Sequence, residues 1–156
     1  GMTGIGFTDP IRLREVCEIN HHLPLKPETS SVFIYDMIDA FGGPDKFYSK
    51  FHFTSVSPVG YVKEGKNFNY YDTSELMSMT HDFVIASIRK QLLMPVNRSL
   101  TFSIGKGKNL AVLKKINKEF QFFDQIQHVP HPRWVMQYRY RSRQQYIAEY
   151  LEKLGS

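Results

Sequence analysis

The sequence lacks the residues that several common architectures need. It contains one cysteine, Cys17, in 156 residues, so no internal disulfide can form and this thiol cannot complete a zinc site by itself. No apolar run approaches the roughly 20 residues that a membrane-spanning helix needs. No signal-peptide pattern opens the sequence, and repeats and low-complexity segments are absent from it. These absences predict an intracellular, cytoplasmic protein without a disulfide scaffold.

The composition predicts one folded domain with a basic excess in its last third. Hydrophobic residues make up 42% of the chain, which excludes a disordered protein, and 156 residues suit a single domain with a sizeable core. The formal net charge is +5. Tyr138 and Tyr140 are interleaved with part of the excess, which comprises Lys106, Lys108, Lys114, Lys115, Lys118, Arg133, Arg139, Arg141 and Arg143. Such a pattern is typical of a surface that binds nucleic-acid phosphates, and equally of a solvated helix face.

Cap residues and helical spacing predict the helices. Asp9 is the expected N-cap of the first helix, with Pro10 at its first position. The second is expected to end at Gly42-Gly43. A later one is expected to follow a capping pattern of Asp72 and Glu75 and to bury Leu76, Phe83, Ile88 and Leu92. The second is the helix predicted to begin at Ser30 or Ser31, and further helices are predicted to begin at Pro44, after Gly107 and near Arg141.

Apolar runs predict the strands. They occupy residues 51–57, 99–104 and about 122–129. Between the first two runs, residues 60–72 are polar and predict a long loop, which makes that segment a candidate for function. Helices that alternate with strands predict an α/β fold with three layers, α/β/α, around a short and mostly parallel sheet.

The turn from Gly105 to Asn109 follows a predicted strand and precedes a predicted helix. Such a turn exposes backbone N–H groups at the positive end of the helix, so with Lys106 and Lys108 it could hold a phosphate. A plain turn would have the same sequence. The lysine followed by serine or threonine that a Walker P-loop requires is absent.

His131, Pro132 and Arg133 follow the last predicted strand. The residue before a proline is driven out of the α region, so His131 is expected in an extended or turn conformation at the end of that strand. Ligands bind at the carboxyl ends of strands in open parallel sheets. An imidazole held there, with Arg133 beside it, could stabilise an anion or a developing negative charge. A turn histidine without chemistry is the alternative.

Three segments, in this order, resemble the uracil-DNA glycosylase superfamily, above all its single-strand-selective monofunctional branch and the bacterial relatives of that branch. Thr3-Gly4-Ile5-Gly6-Phe7 is similar to the tract that follows the first catalytic motif of the family. The stretch 51–58, with Gly65-Lys66-Asn67 downstream, is similar to the middle strand and loop of that branch. His131-Pro132-Arg133 is similar to the second motif, His-Pro-Ser, whose loop enters the DNA.

The resemblance implies base excision by a glycosylase fold, without a metal or redox cofactor. Members of the family flip a nucleotide out of the stack and cleave the bond between base and deoxyribose. On this basis His131 donates to O2 of the departing base, while Phe7 stacks on that base or is ordinary core. Pro132 and Arg133 form the wedge that enters the DNA. The basic residues expected to contact DNA phosphates are Lys106, Lys108, Arg139 and Arg141.

The sequence departs from the family pattern at two sites that bear on function. Ser55, or Thr54 if the alignment shifts by one residue, stands where the family has an asparagine that reads the base, which predicts altered base selectivity. Arg133 stands where the family usually has serine.

The first motif of the family, of the type Gly-x-Asn-Pro-Gly, is expected just upstream of Thr3, and the chain starts too late to contain it. We therefore expect an N-terminally truncated glycosylase-like domain that lacks its first strand and has impaired activity. A second copy could cover the exposed sheet edge, which would give a homodimer.

Two other functions fit the sequence. A non-catalytic nucleic-acid-binding module would keep the fold and the basic face without releasing a base. An α/β enzyme acting on a small phosphorylated metabolite would use the turn from Gly105 to Asn109 and would bind nucleotides but not DNA.

Overall fold

The computed structural model describes residues 2–155, in which helices predominate. In chain order the elements are α1 (Pro10–Glu15), α2 (Thr29–Phe41), α3 (Pro44–Tyr48), β1 (Tyr61–Lys63), β2 (Lys66–Phe68), α4 (Ser74–Gln91), β3 (Leu100–Ile104), α5 (Lys108–Phe120), β4 (Gln125–Val129), α6 (Pro132–Tyr138), a 3-10 turn (Tyr140–Ser142) and α7 (Arg143–Leu154). The chain divides into two compact units. The first comprises Gly1–Phe53 with Val129–Ser156, and the second comprises Thr54–His128.

The first unit is helical and is built around α2. Phe33, Met37 and Phe41 lie on one face of α2 and are almost completely buried, as the sequence predicts. Both α6 and α7 pack against α2, and the ring of Tyr150 on α7 meets Phe33 edge-on at 5.3 Å between centroids. Gly42 ends α2 with a φ of 115°, a left-handed conformation that glycine adopts without strain. This core supports the segments from both ends of the chain that carry the site.

Asp9 begins α1 as predicted and also joins two loops. Its carboxylate accepts hydrogen bonds from the backbone N–H groups of Arg12 and Glu28, each at 2.9 Å, and from the Arg12 guanidinium at 3.0 Å. Its own N–H donates to Ser31 Oγ at 3.1 Å. Burial by itself raises the pKa of Asp9, but these N–H groups and the charge of Arg12 outweigh it and hold the pKa below the ordinary 3.8. The carboxylate is therefore ionised and fixes the chain directly after Thr8.

The second unit contains an antiparallel hairpin where the sequence predicts a loop. In it, β1 pairs with β2, with Tyr61 opposite Phe68 and Lys63 opposite Lys66. Glu64 and Gly65 both have positive φ values, 52° and 73°, which is the geometry of a two-residue hairpin turn. The prediction of an irregular loop over residues 60–72 is therefore wrong for residues 61–68. The polar composition hid the strands, because a short exposed hairpin needs few apolar residues.

The second unit also holds the short parallel sheet. β3 pairs with β4, α5 connects them, and the pairing continues before β3, where Gln125 N–H donates to the Ser99 carbonyl at 3.1 Å. The predicted α/β fold with a short parallel sheet is thereby confirmed. A buried apolar cluster from α4, α5 and neighbouring loops supports the unit, with members Tyr70, Val84, Ile85, Ile88, Ile116 and Phe122.

Other predicted elements differ in detail. The run 51–57 is not a regular strand, because Phe51 and Phe53 pack on other rings instead of entering a sheet. Thr73, rather than Asp72, caps α4 by accepting a hydrogen bond from Leu76 N–H. Phe83 on α4 was predicted to be buried but is 45% exposed.

The sequence analysis did not predict α6. It placed the start of α7 near Arg141, two residues before the observed start at Arg143. The 3-10 turn occupies the start of the predicted last helix. No helix within residues 2–155 is both long and apolar enough to cross a membrane.

Candidate active site

His131 lies at the junction of β4 and α6. It is the N-cap residue of α6, with φ −71° and ψ 127°, so the extended conformation predicted before a proline is present. Pro132 occupies the first helical position, where a missing N–H costs nothing. The hydroxyl of Tyr150 donates to the carbonyl of Pro130, so α7 supports the chain directly before His131. The histidine therefore sits on a rigid turn.

One hydrogen bond sets the tautomer of His131. The backbone N–H of Arg133 donates to Nδ1 of His131 at 3.1 Å, so Nδ1 is an acceptor and a neutral ring must carry its proton on Nε2. Partial withdrawal of the ring from water, followed by the positive charge of Arg133, lowers the pKa of His131 from its ordinary 6.5. At neutral pH the side chain is thus an uncharged donor through Nε2–H.

Phe7 lies next to His131. Its ring meets the imidazole edge-on at 6.2 Å between centroids and meets Phe53 at 5.5 Å. Phe7 has a φ of 56°, and a left-handed conformation costs a residue with a side chain about 1–2 kcal/mol. Thr3 stabilises the turn before it, since its hydroxyl donates to the Thr8 carbonyl and accepts from Ile5 N–H at 3.2 Å. The ring is half-buried, so it has both a packed side and an accessible one.

Phe53 is a site residue that the sequence analysis did not single out. Its ring stacks on Phe47 at 5.5 Å and contacts Phe7 at the same separation, so a cluster of rings supports Phe7 from behind. Phe51 and Phe41 extend this cluster. The alternation of phenylalanines at 51 and 53 was visible in the sequence, but it was interpreted as a strand.

Pro132 and Arg133, the predicted wedge, have different environments. Pro132 is fully buried, which does not fit a residue that enters DNA, and its role is to fix the start of α6. Arg133 is exposed at the second position of α6. The structure therefore leaves Arg133 as the accessible member of the pair.

Thr54 and Ser55, the predicted base readers, belong to the second unit and lie in irregular backbone. Gln91 at the end of α4 holds this stretch. Its Oε1 accepts from the Thr54 hydroxyl, and its Nε2 donates to the Ser55 carbonyl at 3.1 Å and to Ser87 Oγ at 3.0 Å. Among residues 2–155 no hydrogen-bond partner is found for the Ser55 hydroxyl. Of the two alternatives, Ser55 therefore has the available side chain.

Lys106 and Lys108 are also in the second unit, at the turn into α5. Both are exposed. Gly107 is the N-cap of α5 and provides no side-chain cap, while Asn109 accepts from the Tyr70 hydroxyl at 2.7 Å. The turn is formed as predicted, with cationic side chains around an uncapped helix start.

Arg139 and Arg141 lie just after α6 and are exposed. The Arg139 guanidinium is 5.4 Å from the centroid of Trp134, and that of Arg143 is 4.9 Å from the centroid of Tyr140. Within the part of the chain that the structure describes, no three histidine, cysteine or acidic side chains are grouped to hold a metal ion.

An α/β fold that presents a neutral imidazole beside an aromatic ring at the end of a parallel strand can stabilise a leaving anion. No family model matches the sequence, and no curated protein matches it. Among solved structures, the chain is similar to wild-type SMUG2 of Pedobacter heparinus. The two are 42% identical, with a TM-score of 0.92, over 99% of this chain and 68% of the other. The chain therefore belongs to the uracil-DNA glycosylase superfamily, and within it to the branch that includes SMUG2. This confirms the family suggested by the three motifs.

Proposed function

We propose that this chain is a monofunctional DNA glycosylase, which hydrolyses the N-glycosidic bond of uracil or a related damaged base after base flipping. The observation that carries the proposal is the His131 side chain, which lies beside Phe7 and for whose Nε2–H residues 2–155 supply no acceptor. Membership in the superfamily and the similarity to SMUG2 support the same reaction class.

The chemistry requires a group that stabilises the departing base. The bond between base and sugar breaks with its electron pair, so the base leaves as an anion and the sugar becomes oxocarbenium-like. Water then adds to the sugar and loses a proton to solvent, and the departed base anion takes up a proton from solvent. His131 donates Nε2–H to the oxygen on which the negative charge of the base develops. A single donor of this kind contributes about 10²–10³ in rate in comparable enzymes.

Phe7 binds the flipped base. An aromatic face stabilises a stacked base by about 1–3 kcal/mol and does so for every base, because each has a π-face. The strained backbone and the contact with Phe53 hold the ring in one orientation before any substrate arrives. Phe7 therefore contributes binding and orientation of the base.

The basic residues bind the DNA backbone. Arg133, Arg139 and Arg141 from the first unit, and Lys106 and Lys108 from the second, are all exposed. Each phosphate neutralised by such a group releases counterions, so binding weakens with salt at a slope near −0.7 per contact for single strands.

The test is release of free base from single-stranded oligonucleotides that contain uracil, hypoxanthine or xanthine. We expect release by the protein and a loss of about 10²–10³ in His131→Ala. His22→Ala, which removes another exposed histidine, is the matched control and should keep full activity. If the protein releases none of the three bases, the enzymatic proposal is wrong.

A non-catalytic DNA-binding module is the second candidate. It is favoured by Ser55, because one rotatable hydroxyl cannot offer the donor and the acceptor of an asparagine together. This candidate predicts salt-dependent binding of DNA with no release of any base, and the same assay therefore separates the two functions.

A further inference from the structure

The segment from Trp134 to Arg143 carries exposed aromatic rings with guanidinium groups on their faces. Trp134 is 41% exposed, Tyr138 is 59% exposed and Tyr140 is 55% exposed. Side chains of this size are more often largely buried, so three exposed rings in one short segment are unusual. We call these three rings, together with Arg139 and Arg143, the aromatic platform. All five residues belong to the first unit.

Two ring–cation pairs organise the platform. Arg139 lies over Trp134 at 5.4 Å and Arg143 lies over Tyr140 at 4.9 Å, both within the range of a cation–π contact. Tyr146 holds Trp134 from the side, edge-on at 5.7 Å, and Asp36 lies 3.8 Å from Arg143. These contacts hold the rings of Trp134 and Tyr140, so these two rings lose little side-chain entropy when they bind a ligand.

Helical spacing and a recess give the platform its shape. Trp134 and Tyr138 are four residues apart on α6, so their side chains leave the helix on one side. A shallow depression, widely open to solvent, follows it and is lined by residues from Gln137 to Ser142. Rings alternate with cationic groups along this stretch.

The charge pattern selects the ligand. Between Asp124 and Glu149 the sequence contains four arginines and no acidic residue. A hydrophobic protein partner would not need this density of guanidinium groups, and a rigid duplex hides its base faces inside the stack. Unpaired nucleotides offer flat bases for the rings and phosphates for the arginines at the same time.

We propose that the aromatic platform is a binding site for unpaired nucleotides of single-stranded DNA, separate from the pocket that would hold the flipped base. Bases stack on the rings of Trp134, Tyr138 or Tyr140. They can also stack on the guanidinium planes of Arg139 and Arg143, which lie over two of these rings. The phosphates lie against the same two arginines. The proposal extends the proposed function, but the binding itself needs neither uracil nor catalysis.

Trp134 is the only tryptophan of the chain, so its fluorescence reports on the platform directly. The full chain is titrated with a single-stranded thymidine oligonucleotide that contains no uracil, and with a duplex of the same length. Stacking predicts quenching by the single strand and tighter binding of it than of the duplex. Equal affinity for both, with unchanged Trp134 emission, would overturn the proposal.

Single-ring variants test the stacking against simple charge. Tyr140→Ala and Trp134→Ala should each weaken single-strand binding by about tenfold, measured by anisotropy of a labelled oligonucleotide. Tyr140→Phe keeps the ring and should bind as the unaltered protein does, with the same salt slope. Phe83→Ala removes an exposed ring from the second unit and serves as the matched control.

The outcomes separate this proposal from the glycosylase proposal. If Tyr140→Ala and Trp134→Ala bind the single strand as tightly as Phe83→Ala does, the proposed binding site on the aromatic platform is refuted, even if uracil is released normally. If uracil is never released but both variants lose binding, the binding site on the aromatic platform is supported and the glycosylase proposal is refuted. Circular dichroism and thermal unfolding of each variant establish that a loss of binding is not a loss of fold.

Discussion

The backbone N–H of Arg133 donates to Nδ1 of His131, with 3.1 Å between the two nitrogen atoms. The two residues are separated by one proline, so a single turn supplies both the bond that selects the tautomer and the positive charge that helps to lower the pKa of the imidazole. This turn therefore orients the His131 ring, and its Arg133 charge adds to burial of the ring, the larger cause, in lowering the pKa of His131.

The first prediction concerns pH. Since the pKa of His131 lies below its ordinary 6.5, the neutral donor persists to lower pH than in an unperturbed histidine, and base release should fall only as pH drops through this lowered value. Folding stability has the same sign, because below pH 6.5 the unfolded chain binds a proton that the native imidazole resists.

Arg133→Gln removes the positive charge and should move the acidic limb of the pH–rate profile upward. Arg133→Lys keeps the charge and should leave it in place. The pKa of the His131 ring can be followed by NMR in the same variants. An identical midpoint in the glutamine and lysine variants would show that Arg133 does not tune the histidine.

The second prediction concerns Phe7. Phe7→Ala removes the ring that contacts His131 and should lower base release by about tenfold, as expected for a lost stack of about 1–3 kcal/mol. Phe7→Tyr keeps the face and should stay close to full activity. Phe83→Ala is again the control, and equal activity of the two alanine variants would assign Phe7 to packing alone.

The third prediction separates Ser55 from Thr54. Ser55→Asn introduces a donor and an acceptor together and should raise the ratio of uracil to hypoxanthine release by about tenfold. Thr54→Val should leave this ratio unchanged, because the Thr54 hydroxyl already donates to Gln91. Competition between the two substrates in one tube measures the ratio, and a shift caused by the valine variant would reverse the assignment.

The fourth prediction concerns stability. Asp9→Ala leaves the N–H groups of Arg12 and Glu28 without their acceptor and should lower the free energy of unfolding by about 2–3 kcal/mol. Because the pKa of Asp9 is held below 3.8, its contribution is present above that pH and disappears as pH falls through the lowered value.

Denaturant unfolding at neutral and acidic pH measures the Asp9 effect. Asp45→Ala, an exposed acidic residue in the first turn of α3, is the comparison and should cost much less. A difference between the Asp9 variant and the original chain that stays constant with pH would argue against an ionised carboxylate.

Local signals in the sequence predicted the parts of the fold that depend on neighbouring residues. The Asp9-Pro10 start, the buried face of α2 and the extended His131 before a proline all follow from short-range sterics and hydrogen bonding. The three motifs also indicated the family. Phe51 and Phe53 were misassigned, because alternating apolar residues predict a strand. Nothing in the sequence shows that these two side chains will instead pack against aromatic rings elsewhere in the chain.

The candidate site was predictable in its residue types but not in its details. The pairing of Phe7 with Phe53 joins positions far apart in sequence, and no spacing rule links them. Gln91 likewise reaches Thr54 and Ser55 across a long separation. Burial of Pro132 depends on how α6 packs, and the sequence analysis missed α6. The chemistry could be inferred from the sequence, whereas the supporting contacts required coordinates.

The bond from Tyr150 to the carbonyl of Pro130 has a consequence for how the protein tolerates damage. Beyond Arg143, which begins it, the last helix holds no residue that we propose to contact the base or the phosphates, yet it supports the residue next to the histidine. Cleavage by a protease within α7 and after Arg143 would therefore leave the residues proposed to contact DNA intact and still disorganise the turn at His131. Such a nicked protein should continue to bind DNA while it loses the ability to release a base.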